Sequence, residues 1–331
     1  MTSVKDRVRR HPLISFFVLA NALSWIAWTP FILSNNGLGV WDYTFALGQL
    51  TGMLPGAYLG PITSALIVTA ITGGAAGLRR WGARLWRWRV RWHWYAIGVL
   101  GVPAALIVTG LAVSGGQIFA PSLMVLAAYG PMLIMQMLTT GLAEEPGWRD
   151  FALPRLQAKF GPMKSAFILG PLWALWHMPL FFTEWGGWGV SDWTRPVFFT
   201  IFCVGFNVVM AWVFNRTGQS LPLAMLAHVS VNNFMTVVWG EMFPTVAENL
   251  IGIALGISAV IAAVLIIVLT RGRLGYTDAL KAEQLKSDQL DAARFDSGQV
   301  NEPVLVGPDD SLQAGTNTEL GQHASEVRLH R

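Results

Sequence analysis

Residues 117–143, QIFAPSLMVLAAYGPMLIMQMLTTGLA, contain no Lys, Arg, Asp or Glu and run directly into Glu144-Glu145-Pro146-Gly147-Trp148-Arg149. About 20 apolar residues are enough to cross roughly 30 Å of hydrocarbon, so this stretch is long enough to span a bilayer. A cluster of charges closes it. An Asp placed mid-span costs roughly 2.5–3.5 kcal/mol on insertion scales, and such groups are rare unless they serve a purpose. Two later apolar runs carry His177, then His228 with Asn232. The pattern points to a polar reaction site inside a helical membrane protein.

Working outward, eight runs free of Lys, Arg, Asp and Glu are predicted to span: 12–33, 45–72, 94–116, 117–143, 165–182, 196–215, 221–240 and 249–270. The expected fold is therefore an all-α polytopic bundle over residues 1–273. Composition agrees. Of 331 residues, 53% are hydrophobic and 13% charged, about half the charged share of a soluble domain. Sixteen Trp and thirty-four Gly suit a membrane protein, where aromatics sit at interfaces and Gly is tolerated in helices. The single cysteine, Cys203, excludes an intrachain disulfide.

Loop charges alternate. Lys5, Arg7, Arg9 and Arg10 precede the first run, and Asp42 alone charges the loop after it. Arg79, Arg80, Arg84, Arg87, Arg89 and Arg91 follow the second, and the connection after the third has no charge. Arg149, Arg155, Lys159 and Lys164 are read as the next loop. Glu184 and Asp192, with Arg195 at the end of their loop, then stand opposite Arg216, and Glu241 and Glu248 opposite Arg271 and Arg273. Basic residues on every second loop match the positive-inside rule with both termini cytoplasmic, and the plasma membrane is the expected location. The first run is too long for a signal-peptide core and is read as an anchor. The net charge of +4 does not imply a nucleic-acid partner. Six arginines interleaved with tryptophans over 79–94, beside two spans, read as an interfacial segment against lipid headgroups. Residues 274–331 are polar and poor in aromatics, the composition of a disordered cytoplasmic tail. A short polar helix at 277–293 is expected within it, and truncation after Gly275 is expected to leave folding and activity largely intact.

Within the charged cluster, Glu145 and Arg149 are four apart and pair on one helix face, bracing the structure by a neutralised charge. Glu144 is rotated about 100° from its neighbour and is free to face the interior. Pro146 removes a backbone donor, so a distorted helix is expected. His228 and Asn232 share one face of the seventh run, with Asn233 one step round. The competing structural readings are solvated loop charges for the glutamates and interhelical hydrogen bonds for the histidines and asparagines. No zinc-protease HExxH, GxSxG elbow or P-loop occurs, and no Asp lies within a run. Residues 256–259 in the last run read as small-residue packing.

Taken in order, Glu144-Glu145-Pro146-Gly147-Trp148-Arg149, Trp173-Ala174-Leu175-Trp176-His177 and His228-Val229-Ser230-Val231-Asn232 resemble the three motifs of the CPBP (Abi) family, which includes the type II CAAX-prenyl endopeptidases. The family pattern is E-E-x-x-x-R, aromatic-x-x-x-H and H-x-x-x-N, and the resemblance covers about residues 120–240. Trp173 stands where Phe is common, and Asp150 where Gly is. The resemblance implies an intramembrane endopeptidase in which Glu144 and His177 activate water, His228 and Asn232 hold the oxyanion, and Glu145 and Arg149 brace the site. Family members are also described as metalloproteases, so Glu144, His177 and His228 are candidate ligands for a divalent metal such as zinc. The implied partners are membrane lipids and a peptide or protein substrate, of CAAX type or linked to self-immunity. The alternatives are a non-catalytic binding or immunity protein and a proton-coupled transporter, although no inverted repeat supports the latter.

Overall fold

The computed structural model describes residues 3–187, 189 and 192–296. A seven-residue helix, α1 (Val4–Arg10), precedes eight long apolar helical runs. These are α2 (Pro12–Leu33), α3 (Gln49–Trp86), α4 (Trp92–Val113), α5 (Leu123–Phe160), α6 (Pro162–Phe182), α7 (Thr194–Arg216), α8 (Leu221–Met242) and α9 (Glu248–Thr270). A polar helix, α10 (Asp278–Asp296), follows. No strand occurs among the described residues. This is the architecture that lipid demands, because a helix satisfies its own backbone polar groups.

Local chemistry sets the helix ends. Pro12 starts α2, where its missing N–H is no loss. Ser122 caps α5, its hydroxyl accepting from Val125 N (3.3 Å), and Ser220 caps α8 in the same way from Leu223 N (3.4 Å). Ser220 Oγ also donates to the Arg87 carbonyl (2.6 Å), tying the arginine-rich connection to the start of α8. Gly74 kinks α3 with φ 59° and ψ −155°, a conformation that only glycine adopts readily. Beside the kink, Arg9 Nε donates to the Ile71 carbonyl (3.0 Å).

α8 is the axis of the bundle: every residue from Leu221 to Val231 is buried. α7 crosses α9 closely, because Gly205 has no side chain to hold off the backbone of Ala259. Ser258 Oγ and Thr109 Oγ1 are 2.7 Å apart, joining α9 to α4. The expected small-residue packing around 256–259 is therefore present.

Three expectations need correction. First, the helix of the fourth run does not end at Ala143. α5 continues to Phe160, and Glu145, Arg149 and Asp150 have no exposed surface. The charges are not in a solvated loop; they are the most enclosed part of α5, whose uncharged half exposes Leu123, Met124 and Leu138. Second, the 79–94 segment is only partly interfacial. Trp86, Trp88 and Trp92 are exposed, but Trp81 and Trp94 are buried, and Arg84 pairs with Asp150 inside the bundle.

Third, the polar helix expected at 277–293 is present as α10, but it is not a free tail segment, since it packs on α3 and on the end of α5. Asp291 lies against Gly73 and pairs with Arg80, while burial pushes its carboxyl above the ordinary range. Residues 297–331 lie outside the described residues. α10 docks through the ion pairs Arg87–Glu283 and Arg155–Asp288 and the partly buried Arg80–Asp291, and exposed ion pairs contribute about 0–1 kcal/mol each. Truncation after Gly275 is thus expected to lower the melting midpoint by a few degrees rather than to leave it unchanged. A scan of full-length and truncated protein in one detergent checks this.

Candidate active site

The Glu-Glu-Pro-Gly-Trp-Arg segment is not regular α-helix. π-helical turns at Met137–Gly141 and Pro146–Ala152 flank Leu142–Glu145. Pro146 gives the Leu142 carbonyl no i+4 donor, and the wider turn absorbs the defect; such turns recur at functional sites. Gly147 lies against α3, where an added Cβ would stand 2.6 Å from Pro61 Cβ. Trp148 packs edge-on to Phe16 at 5.5 Å.

The two adjacent glutamates face different partners, as their 100° offset predicts. Glu144 Oε2 accepts from Trp173 Nε1 at 2.9 Å. Glu145 Oε2 lies 3.2 Å from Arg149 Nε, and its Oε1 accepts from His228 Nδ1 at 2.8 Å. Arg149 Nη1 in turn donates to Asn207 Oδ1 at 2.7 Å, and Asn207 Nδ2 donates to the Cys203 carbonyl at 2.8 Å. Glu145 and Arg149 thus tie α5 to α7 and α8.

Hydrogen bonding settles the orientation of both imidazoles. His177 Nδ1 lies 2.9 Å from the Trp173 carbonyl, which only accepts, so Nδ1 carries the proton and Nε2 of the neutral ring is an acceptor. His228 Nδ1 donates to Glu145, and its Nε2 lies 3.4 Å from Asn232 Nδ2. Trp173 stands between the two rings, edge-on to each at 5.3 Å. Trp185 stacks on His177 at 5.6 Å from the other side.

Glu144, Trp173, His177, His228 and Asn232 all line one cavity of about 530 Å³. Its remaining wall is largely Met and aromatic, including Trp28, Met53, Met132, Met135, Phe199 and Phe202. Asn233 does not join it; its Nδ2 donates to the Tyr129 carbonyl at 3.1 Å, an interhelical bond. Among the described residues, no three His, Cys, Asp or Glu side chains stand close enough together to hold a metal ion. The three-ligand set of a catalytic zinc does not fit this arrangement.

Sequence reading missed several partners. Trp173 is a donor to Glu144, which the Phe common at that position is not. Asn207 sits mid-span in α7, and a polar residue there is itself a signal of buried pairing. Asp150, the other departure from the family pattern, pairs with Arg84 across the bundle.

Fold and cavity define a multi-pass helical membrane protein with a carboxylate, two imidazoles and an amide converging inside it. A family model for Type II CAAX prenyl endopeptidase Rce1-like matches residues 126–234. "CAAX prenyl protease 2" of Methanococcus maripaludis is 26% identical over 138 residues, which cover 40% of this chain and 48% of that protein. The chain spans about half the length of the curated relative it matches. Both matches support the resemblance of residues 126–234 to the CPBP family of intramembrane proteases.

Proposed function

We propose that this protein is an intramembrane endopeptidase that hydrolyses peptide bonds with water activated by Glu144 and His177. The observation that carries the reading is the convergence of Glu144, His177, His228 and Asn232 on one cavity. Trp173 occupies Glu144 Oε2 and leaves Oε1 for water. One water hydrogen goes to that oxygen, and the other is held by the acceptor Nε2 of His177. The resulting hydroxide attacks the carbonyl carbon, and Glu144 passes its proton to the departing amine. The oxyanion accepts from Asn232 Nδ2 and from His228 Nε2, which donates when the ring is doubly protonated beside Glu145. No step is assigned to a metal.

The name of the matched relative and the mostly apolar cavity wall are the reasons to test peptides ending in a prenylated CAAX-type sequence first. Purified protein in liposomes, incubated with prenylated and unprenylated peptide libraries and read by mass spectrometry, is expected to release C-terminal fragments. Absence of cleavage from both libraries would favour a non-catalytic binding or immunity protein.

Orientation belongs to the same proposal, with both termini cytoplasmic in a plasma membrane. α1 and α10 both pack on α3 at one end of the bundle, next to the arginine-rich connection. Reporter fusions are expected to place residues 34–44 and 241–248 outside and residues 87–91 inside. The opposite labelling would reverse the membrane side from which substrate is drawn.

A further inference from the structure

A second cavity, of about 850 Å³, shares no lining residue with the first. It lies where the α1–α2 junction, the end of α5 and α10 meet. Arg9, Arg10 and His11 line one side, and Arg155 and Lys159 the other. Three carboxylates also reach it, but each is engaged. Asp6 accepts from Ser3 N (3.0 Å) in the α1 capping box. Asp291 pairs with Arg80, which is outside the lining. Asp288 accepts from Gln284 Nε2 (2.8 Å) and lies 3.9 Å from Arg155 Nε. Arg155 is itself held over the Phe151 ring at 4.0 Å, its Nη1 donating to the Phe151 carbonyl (3.0 Å). With Asp291 paired outside the lining, Arg9, Arg10, Arg155 and Lys159 face two remaining carboxylates, Asp6 and Asp288, so the recess keeps a net positive charge.

Its rim is of different character. Pro12, Leu13 and Ile14, the first turn of a membrane-spanning helix, form one edge, and Ile14 is 63% exposed on the outside of the bundle. A ligand seated here meets cations at the depth of lipid headgroups and an apolar edge on the side of the acyl chains. That combination suits a phosphodiester carrying hydrocarbon. We propose that this recess is a binding site for the phosphate of an anionic phospholipid, held by Arg10 and Lys159 together with Arg9 and Arg155, with an acyl chain along Ile14. Basic recesses between helices at the headgroup level are suited to such headgroups. A soluble phosphate shares the chemistry but makes no use of the apolar rim.

The test uses the full-length protein in detergent, titrated with phosphatidylglycerol, phosphatidylcholine or inorganic phosphate. Lipid binding is read by native mass spectrometry and stability by thermal melting. Arg10 and Lys159 are both exposed, so Arg10→Gln/Lys159→Gln is expected to fold. The control is Arg89→Gln/Arg91→Gln, two exposed arginines outside the cavity that remove the same charge. Wild type is expected to bind phosphatidylglycerol in preference to phosphatidylcholine and to melt higher with it. The cavity variant is expected to lose about fivefold in affinity for each cation removed, while the control keeps wild-type affinity. Equal losses in both variants would mean diffuse attraction to basic loops and would overturn the site. Equal binding of the two lipids would also overturn it. Millimolar phosphate reproducing the full melting shift would assign the recess to a soluble anion and overturn the lipid.

Discussion

Glu144→Gln is expected to abolish turnover while leaving the protein folded. The amide keeps the volume of the carboxylate and still accepts from Trp173, but it cannot take a proton from water. His177→Ala is expected to have an effect of the same order. The double variant should be little worse than either single one, because two groups acting on one water in one transition state are not additive. Asn232→Ala removes one oxyanion donor, and such losses lower kcat by about 10²–10³, so residual cleavage should be measurable. Trp173→Phe is the subtler probe. It keeps an aromatic ring between the two imidazoles but deletes the hydrogen bond to Glu144. A bond to a charged group contributes about 1.5–3 kcal/mol, so a drop of 10- to 100-fold is expected. Chelators should leave the rate unchanged, since the donor set does not assemble a three-ligand site. Initial rates on one cleaved peptide in liposomes provide every comparison. Near-wild-type cleavage by Glu144→Gln would remove the proposed mechanism.

The second large effect concerns the brace. Arg149→Ala and Glu145→Gln each break an ion pair with no exposed surface on either residue. Removing one partner of a buried pair is destabilising by about 3–5 kcal/mol, because the other charge is left without compensation. Each should lower folded yield and melting temperature sharply, and the double variant should cost less than the sum. The two singles should differ in activity. Glu145 also accepts from His228 Nδ1, so Glu145→Gln is expected to reduce turnover per folded molecule. Asn207→Ala, which removes hydrogen bonds to Arg149 and the Cys203 carbonyl, is expected to lower stability alone. Strict additivity of Glu145→Gln and Arg149→Ala in melting measurements would show that the two side chains are not coupled.

The spans were legible because hydrocarbon enforces helices of a fixed minimum length. Pairs four apart were legible too: Glu145 with Arg149 and His228 with Asn232 follow from helical spacing alone. The distortion at Pro146 was readable from its missing donor. What a sequence cannot supply is which face meets which. Trp173 and Glu144 are 29 residues apart, Arg149 and Asn207 58, Arg84 and Asp150 66, and Glu145 and His228 83. The end of α5 was misplaced for a related reason. Charge was taken to mean exposure, whereas Arg149 and Asp150 find partners on other helices and stay inside. The polar composition of α10 likewise concealed that Asp291 fits a notch made by Gly73 and Gly77.

The fit of Gly147 against Pro61 bears on anyone wishing to trim this protein. Residues 126–234 carry all three motifs, yet the segment does not contain its own wall. Trp148 rests on Phe16, and Trp176 Nε1 donates to Ser24 Oγ at 2.6 Å. Trp25 Nε1 donates to the Trp176 carbonyl at 3.0 Å, and Trp81 Nε1 to the Pro146 carbonyl at 3.2 Å. A fragment beginning at α5 would offer Trp148 and Trp176 to lipid and strand Asp150 without Arg84. A minimal unit that keeps this cavity must therefore retain α2 and α3 as a scaffold, so the first practical cut lies beyond α9 rather than before α5.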